Sequence, residues 1–133
     1  MPGRSDAQIA SIIFNETRSL SGPKVDAARI NIAHAIINSE SQGSAPLMAS
    51  QVAKVPDAEK AIYQASLTAV QSARSSVKSG VDPTAGAKHF NFRKNNWPGD
   101  FQGYKLKTSI GPLDNSYPTD DLPKSGIYAN TYE

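Results

Sequence analysis

The chain has 133 residues, of which 38% are hydrophobic and 20% charged, with a net charge of +2. That size and balance suit one domain, residues 1–133, built on a single core, and they exclude a disordered polyelectrolyte or a dedicated polyanion binder. The fourteen Lys and Arg are scattered and the single Trp is not interleaved with a basic cluster, so nucleic acid is not an expected partner.

The absence of cysteine removes disulfides and thiolate metal sites. Two histidines, His34 and His89, are too few for a zinc centre unless carboxylates are recruited, so neither a metal nor a cofactor is expected. No run is long enough to span a bilayer, which predicts no membrane insertion, and "MPGRSDAQIA" lacks the apolar segment of a classical secretory signal.

A capping box opens the first helix: Ser5 accepts from the backbone of Gln8, whose side chain returns to Ser5. Ile9, Ile12, Ile13 and Leu20 then recur at helical spacing. Glu16 rides on that stripe, on the side expected to face the core. "SGPKVDAARINIAHAIINSE" restarts the pattern, with Pro23 suited to a first helical position and Val25, Ala28, Ile32, Ala33, Ile36 and Ile37 forming a broad apolar face. A polar connection, "SQGSAPLMASQVAKVP", leads to a third helix near Pro56, where Asp57 and Glu59 suit the positive end of the helix dipole. Ala58, Ala61, Ala65, Ala69 and Ala73 allow close approach of a neighbouring helix. Lys78, Gly80 and Pro83 mark the stop.

From about residue 81 the helical period is lost. Short strands are expected at "AKHFNFRK" and "GIYANTYE", joined by turns at "WPGD" and "DNSYP". The fold class predicted is α+β, mainly α: a helical lobe carrying a loop-rich C-terminal lobe with short strands.

Two readings of Glu16 compete. Burial beside isoleucines raises a carboxyl pKa, and a glutamate still protonated near neutral pH is what a general acid in glycoside cleavage requires. The plainer reading is a partly exposed Glu at a helix end, paired with Arg18 or Arg29.

The surrounding sequence favours the first. "IIFNETRSLSGPKVDAARINIAHAIINSE" followed by "VDPTAGAKHFNFR" resembles the cell wall hydrolase family typified by the catalytic domain of the spore cortex lytic enzymes. That family carries a Glu in an "N-G-E-A-R-G-E" context, a "V-A-x-V-I-L-N-R" helix and a "DPT-x-GA-x-x-F-x-N" segment. Asn15, Glu16 and Arg18 match the first motif loosely, with Thr17 and Ser19 departing from it. Asn38 matches the end of the second, and Asp82, Pro83, Thr84, Gly86, Ala87, Phe90 and Asn91 match the third. The similarity spans residues 8 to 93, and the tail from Gly111 does not align. It implies a lysozyme-like fold and a peptidoglycan glycosidase, either a lytic transglycosylase or a muramidase, with Glu16 as the catalytic acid and base. It also implies action in the periplasm or cell wall, reached by specialised export or phage delivery in the absence of a classical signal. If the protein is an antibacterial effector, an immunity or inhibitor protein is a further expected partner.

A glycan groove needs aromatic faces for sugar rings and amides or hydroxyls for their polar edges. Alternation turns Phe90 and Phe92 one way and His89, Asn91 and Arg93 the other. The latter three, with Tyr117, Tyr128 and Asn130, are the candidate substrate-binding residues. His34, within an apolar helix, reads as a core residue, and Asp82 as the cap of the turn before Thr84. No second carboxylate shares the apolar setting of Glu16. This favours transglycosylation over hydrolysis, with Asp82 and Asp100 the first candidates if water is activated. The alternative to an enzyme is a non-catalytic wall-binding or protein-binding module on a degenerate hydrolase scaffold.

Overall fold

The capping box at the start of the chain is formed in the computed structural model, which describes residues 3–41, 53–95, 97 and 101–133. The Gln8 amide donates to Ser5 Oγ at 3.2 Å and the Ser5 amide donates to Gln8 Oε1 at 2.9 Å. Helix α1 follows over Asp6–Thr17. Its residues Ile9 to Phe14 are all buried, so the helix is covered on every side rather than along one stripe. Asn15 and Glu16, in its last turn, are exposed while Thr17 beside them is fully buried, so the last turn is covered on one side only.

Helix α2 spans Val25–Ser41, beginning two residues beyond Pro23. It buries Ala28, Ile32, Ala33, His34, Ala35, Ile36 and Ile37. Most of the polar connection expected before Pro56 lies outside the described residues, as do the "WPGD" turn apart from Trp97 and the candidate Asp100. A 3-10 turn, Asp57–Glu59, leads into α3, Lys60–Lys78. The face that α3 buries runs through Ser66, Ala69, Val70 and Ala73, while Ala58 and Ala61 are exposed. Gly80, at φ 74°, ends the helix in the left-handed conformation expected of a glycine stop, its amide donating to the Val77 carbonyl at 3.0 Å.

The second half of the chain overturns the mainly helical, lysozyme-like expectation. It builds a four-stranded antiparallel sheet in the order β1-β3-β4-β2, in place of a loop-rich lobe with short strands. The strands are β1 Leu20–Ser21, β2 His89–Lys94, β3 Leu106–Asn115 and β4 Ser125–Tyr132. Strands β2 and β4 fall on the two segments expected to be extended. β3 escapes a reading by pattern because Gly111 and Pro112 interrupt it. The proline, unable to donate to a ladder, is accommodated where the pairing with β4 slips between Ile110 and Leu113. Only a glycine fits at 111: a Cβ there would lie 2.6 Å from Tyr128 Cδ2 and 2.7 Å from the Ile127 carbonyl oxygen.

One face of the sheet supplies Phe92, Leu113, Ile127 and Ala129 to a core shared with Ile9, Ile13, Ile32, Ile36 and Val70 of the three helices. α2 also reaches this face through polar atoms, with Asn31 Nδ2 donating to Thr108 Oγ1 at 3.3 Å and Thr108 bonded to Thr131 at 2.7 Å. Because strand side chains alternate, the residues between these point away from the helical layer. Among the described residues no helix is long and apolar enough to cross a membrane.

Candidate functional site

At the C-terminal end of α1, Arg18 grips Glu59. Its Nε donates to Oε2 at 2.7 Å, and its Nη2 contacts Oε1 in the second arm of the fork. The guanidinium also lies over the Phe14 ring, 5.0 Å from its centroid. Arg29 is similarly engaged, donating to Asp26 Oδ1 at 3.0 Å and to Thr17 Oγ1 at 3.1 Å. Both arginines expected as partners of Glu16 in the plainer reading therefore hold other partners, and Glu16 has no hydrogen-bond or ion-pair partner among the described residues.

Glu16 is accessible to solvent, yet desolvation by the surrounding protein pushes its carboxyl above the ordinary range. The two observations pull in opposite directions: the side chain is open to water, and the protein packed around it disfavours the charged form only in part. Its place in the last turn of α1, at the negative end of the helix dipole, works in the same direction as desolvation. The shift is thus not the deep-burial effect that the isoleucine stripe suggested.

Tyr117 belongs to the same end of the fold. The Ser116 amide donates to the Ser19 carbonyl at 2.8 Å, pinning the end of β3 to the segment just after α1. Tyr117, the next residue, is 77% exposed and within electrostatic reach of Arg18.

The other five candidate binding residues form a second group. The register pairs His89 with Tyr132, Asn91 with Asn130 and Arg93 with Tyr128 on the outer face of the sheet, and sets Phe92 opposite Ala129 on the core face. A chain of hydrogen bonds crosses three strands: Ser109 Oγ donates to Asn130 Oδ1 at 2.7 Å, and Asn130 Nδ2 donates to Asn91 Oδ1 at 2.9 Å. No described contact joins this group to Glu16, which lies near β1 at the opposite edge of the sheet from β2. Ser109, Phe101 and Tyr132 join the outer face, and Glu59 joins the Glu16 end. Tyr132 is among the aromatics the sequence offers for a groove; Ser109 is missed because β3 is hidden by its glycine and proline, Phe101 because it lies in no regular element, and Glu59 because it is distant from Arg18 in the chain.

An open depression of about 460 Å³ lies where β1, β3 and β4 meet, lined by Ser21, Asp114, Asn115, Ser116, Lys124 and Ser125. Asp114 is in a strand, not the turn that its neighbours in sequence suggest.

Asp82 is fully engaged. Its Oδ1 accepts from the Thr84 amide at 2.8 Å and the Thr84 hydroxyl at 2.6 Å, and its Oδ2 accepts from Asn38 Nδ2 and the Gly86 amide, both at 2.8 Å. Although partial burial opposes ionisation, these bonds hold its pKa down to about 2. Such a carboxylate is a poor base for water, and its role is to close the loop onto α2. Asn38 completes the knot by donating to the Ala87 carbonyl at 3.0 Å.

His34 abuts this knot. It is 0% exposed, its two ring nitrogens have no hydrogen-bond partner among the described residues, and its Nδ1 lies 3.6 Å from Asp82 Oδ1. Desolvation lowers its pKa despite the attraction of Asp82. Among the described residues no group of three or more His, Asp or Glu is arranged to hold a metal ion.

Comparisons with protein-family models, with curated proteins and with solved structures found no match for the chain.

Proposed function

We propose that the protein cleaves the glycan strands of peptidoglycan as a lytic transglycosylase, with Glu16 acting as general acid and then as base. The observation that carries this reading is an accessible carboxyl whose pKa is raised by desolvation and whose neighbouring arginines are bound elsewhere. Such a shift favours the protonated form that a general acid needs, on a side chain that solvent reaches. Further support comes from the motif residues Asn38, Asp82, Thr84, Gly86 and Ala87, which are dispersed over two segments of sequence and cohere in one hydrogen-bonded knot.

In the proposed reaction Glu16 protonates the glycosidic oxygen as its bond to C1 of the muramic acid breaks. The resulting carboxylate takes the proton of that sugar's C6 hydroxyl, whose oxygen closes onto C1. The leaving sugar keeps the first proton, Glu16 ends protonated, and no water is consumed. One carboxyl suffices, in keeping with the commitment of Glu59 to Arg18 and of Asp82 to its loop. Were water the nucleophile, Asp114 would be the carboxylate to test, because it lines the depression beside β1 and its carboxylate has no hydrogen-bond or ion-pair partner among the described residues.

The test is release of soluble fragments from purified sacculi by the wild type and by Glu16→Gln, which keeps the shape and loses the transferable proton. The reading requires the variant to lose cleavage while remaining folded, and equal release would exclude Glu16. The competing reading, a non-catalytic binding module, draws on the amide chain of Asn91, Asn130 and Ser109 standing apart from Glu16. It predicts binding to sacculi without any release by the wild type.

A further inference from the structure

We propose that the outer face of the sheet is a docking track for a carboxylate-bearing glycan strand, separate from the residues that perform cleavage. The choice of polymer rests on the peptidoglycan reading above, whereas the existence of the track rests on the chemistry of the face itself.

Three successive rows of side chains lie on that face. At one end His89 and Tyr132 are joined by Phe101 and Tyr104: Phe101 stands 4.9 Å from Tyr132 and 5.3 Å from His89 between ring centroids, and Tyr104 stands 4.9 Å from His89. Tyr104 is 50% exposed, so this aromatic group offers an edge to solvent instead of closing into a core. Phe101 holds a φ of 53°, an unusual conformation for a bulky residue, and thereby places its ring against the sheet. The middle row is the amide and hydroxyl chain of Asn91, Asn130 and Ser109, in which Asn91 is only 8% exposed and supports the half-buried Asn130 and exposed Ser109 that a ligand reaches. The third pairs Arg93 with Tyr128, whose ring lies over the side-chain-free Gly111. From Tyr128 to Tyr132 the rows extend over roughly 13 Å at the usual strand rise, enough for more than one pyranose ring.

The alternation of flat rings with neutral donors and acceptors suits a polyhydroxylated chain, whose apolar sugar faces stack and whose hydroxyl and acetamido groups hydrogen-bond. Charge selects among such chains. The segment 85–113 holds Lys88, Arg93, Lys94, Lys105 and Lys107 against the single acid Asp100; alternation sets Arg93 on this face and Lys94 on the other, and Lys107 is paired with Glu133 at 3.8 Å, so the surplus of positive charge is regional and centred on Arg93 and exposed Lys105. A polymer carrying carboxylates is attracted to that segment, whereas a neutral one is not. A single-stranded nucleic acid would also seek cations and rings, but it requires exposed ring faces on which bases stack. Here Phe101 and Tyr132 are turned onto each other, and the centre of the face is neutral amide.

The test is co-sedimentation with purified sacculi in the Glu16→Gln background, where the polymer stays intact, comparing that parent with added Tyr104→Ala and Asn130→Ala. The proposal requires the double change to weaken binding about tenfold or more, the scale of one lost polar or aromatic contact. Amidation of the sacculus carboxylates must likewise weaken binding by the parent. Exposed Tyr104→Ala alone, checked for an unchanged melting temperature, serves if the double change disturbs folding, and it must still show a reduction. Undiminished binding by the folded variants, indifference to amidation, or preference for a single-stranded oligonucleotide over sacculi would overturn the proposal. Failure of the Glu16 reading would show separately, as absence of fragment release by the wild type.

Discussion

Glu16 and His34 are both driven by desolvation toward their neutral forms, with opposite consequences for stability against pH. The folded pKa of Glu16 lies above its ordinary 4.5, so the native state binds the proton more tightly than the unfolded chain and loses stability as pH rises through the folded pKa. Glu16→Gln lacks that loss. It is therefore expected to melt at a higher temperature than the wild type at pH 7, with the difference disappearing near pH 4, and a lower melting temperature at pH 7 would mean that the carboxylate has a stabilising partner. The raised pKa also predicts that fragment release declines as pH rises through it, because the acid must start protonated. His34 behaves conversely: its folded pKa lies below 6.5, so under that pH the unfolded chain takes up a proton the native state refuses, and stability falls. Urea midpoints at pH 7.5 and 5.5 measure this, and His34→Leu should reduce the decline across that interval, leaving the share of His89, whose pKa desolvation and Lys88 also lower. Asp82, held at about 2 from 3.8, contributes a separate loss at lower pH that the His34 change leaves in place.

At the scale of elements, the helices were legible because their signals are local: a capping box at Ser5, apolar spacing through Ile32 to Ile37 and a glycine stop at Gly80 each act within a few residues. The same spacing misplaced Glu16, since periodicity gives the angle of a side chain about its helix and not which sides of the last turn the neighbours cover: Thr17 is buried there and Glu16 is not. The sheet was only half legible. Alternation placed His89, Asn91 and Arg93 opposite Phe92, but the pairing of β3 with β4 is a long-range choice, and the slip that admits Pro112 has no local signature. The knot between α2 and the loop after α3 is likewise long-range: Asn38 and Asp82 meet across 44 residues. Asn38→Ala removes donors to Asp82 and the Ala87 carbonyl and is expected to destabilise by about 1 to 3 kcal/mol in denaturant titrations. Ile32→Ala, at a fully buried position in the shared core, should cost about 2 to 5 kcal/mol through the cavity it leaves. A loss below about 1 kcal/mol at Ile32 would contradict the packing described.

For the molecule as a whole, one core joins three helices to one face of the sheet, and the proposed glycan contacts lie on the other face and at Glu16. Positive charge gathers around β2 and β3 while the overall charge is only +2, so attraction to an acidic polymer is regional and should weaken with salt. The central claim is that a single carboxyl, Glu16, breaks a glycan strand without water. Its most direct test is mass analysis of the fragments that the purified wild type and Glu16→Gln release from sacculi, before and after borohydride treatment. The account predicts wild-type fragments ending in 1,6-anhydro-muramic acid, unchanged in mass by borohydride at that end, and none from the variant. Fragments with reducible ends, or the same fragments from both proteins, would contradict it.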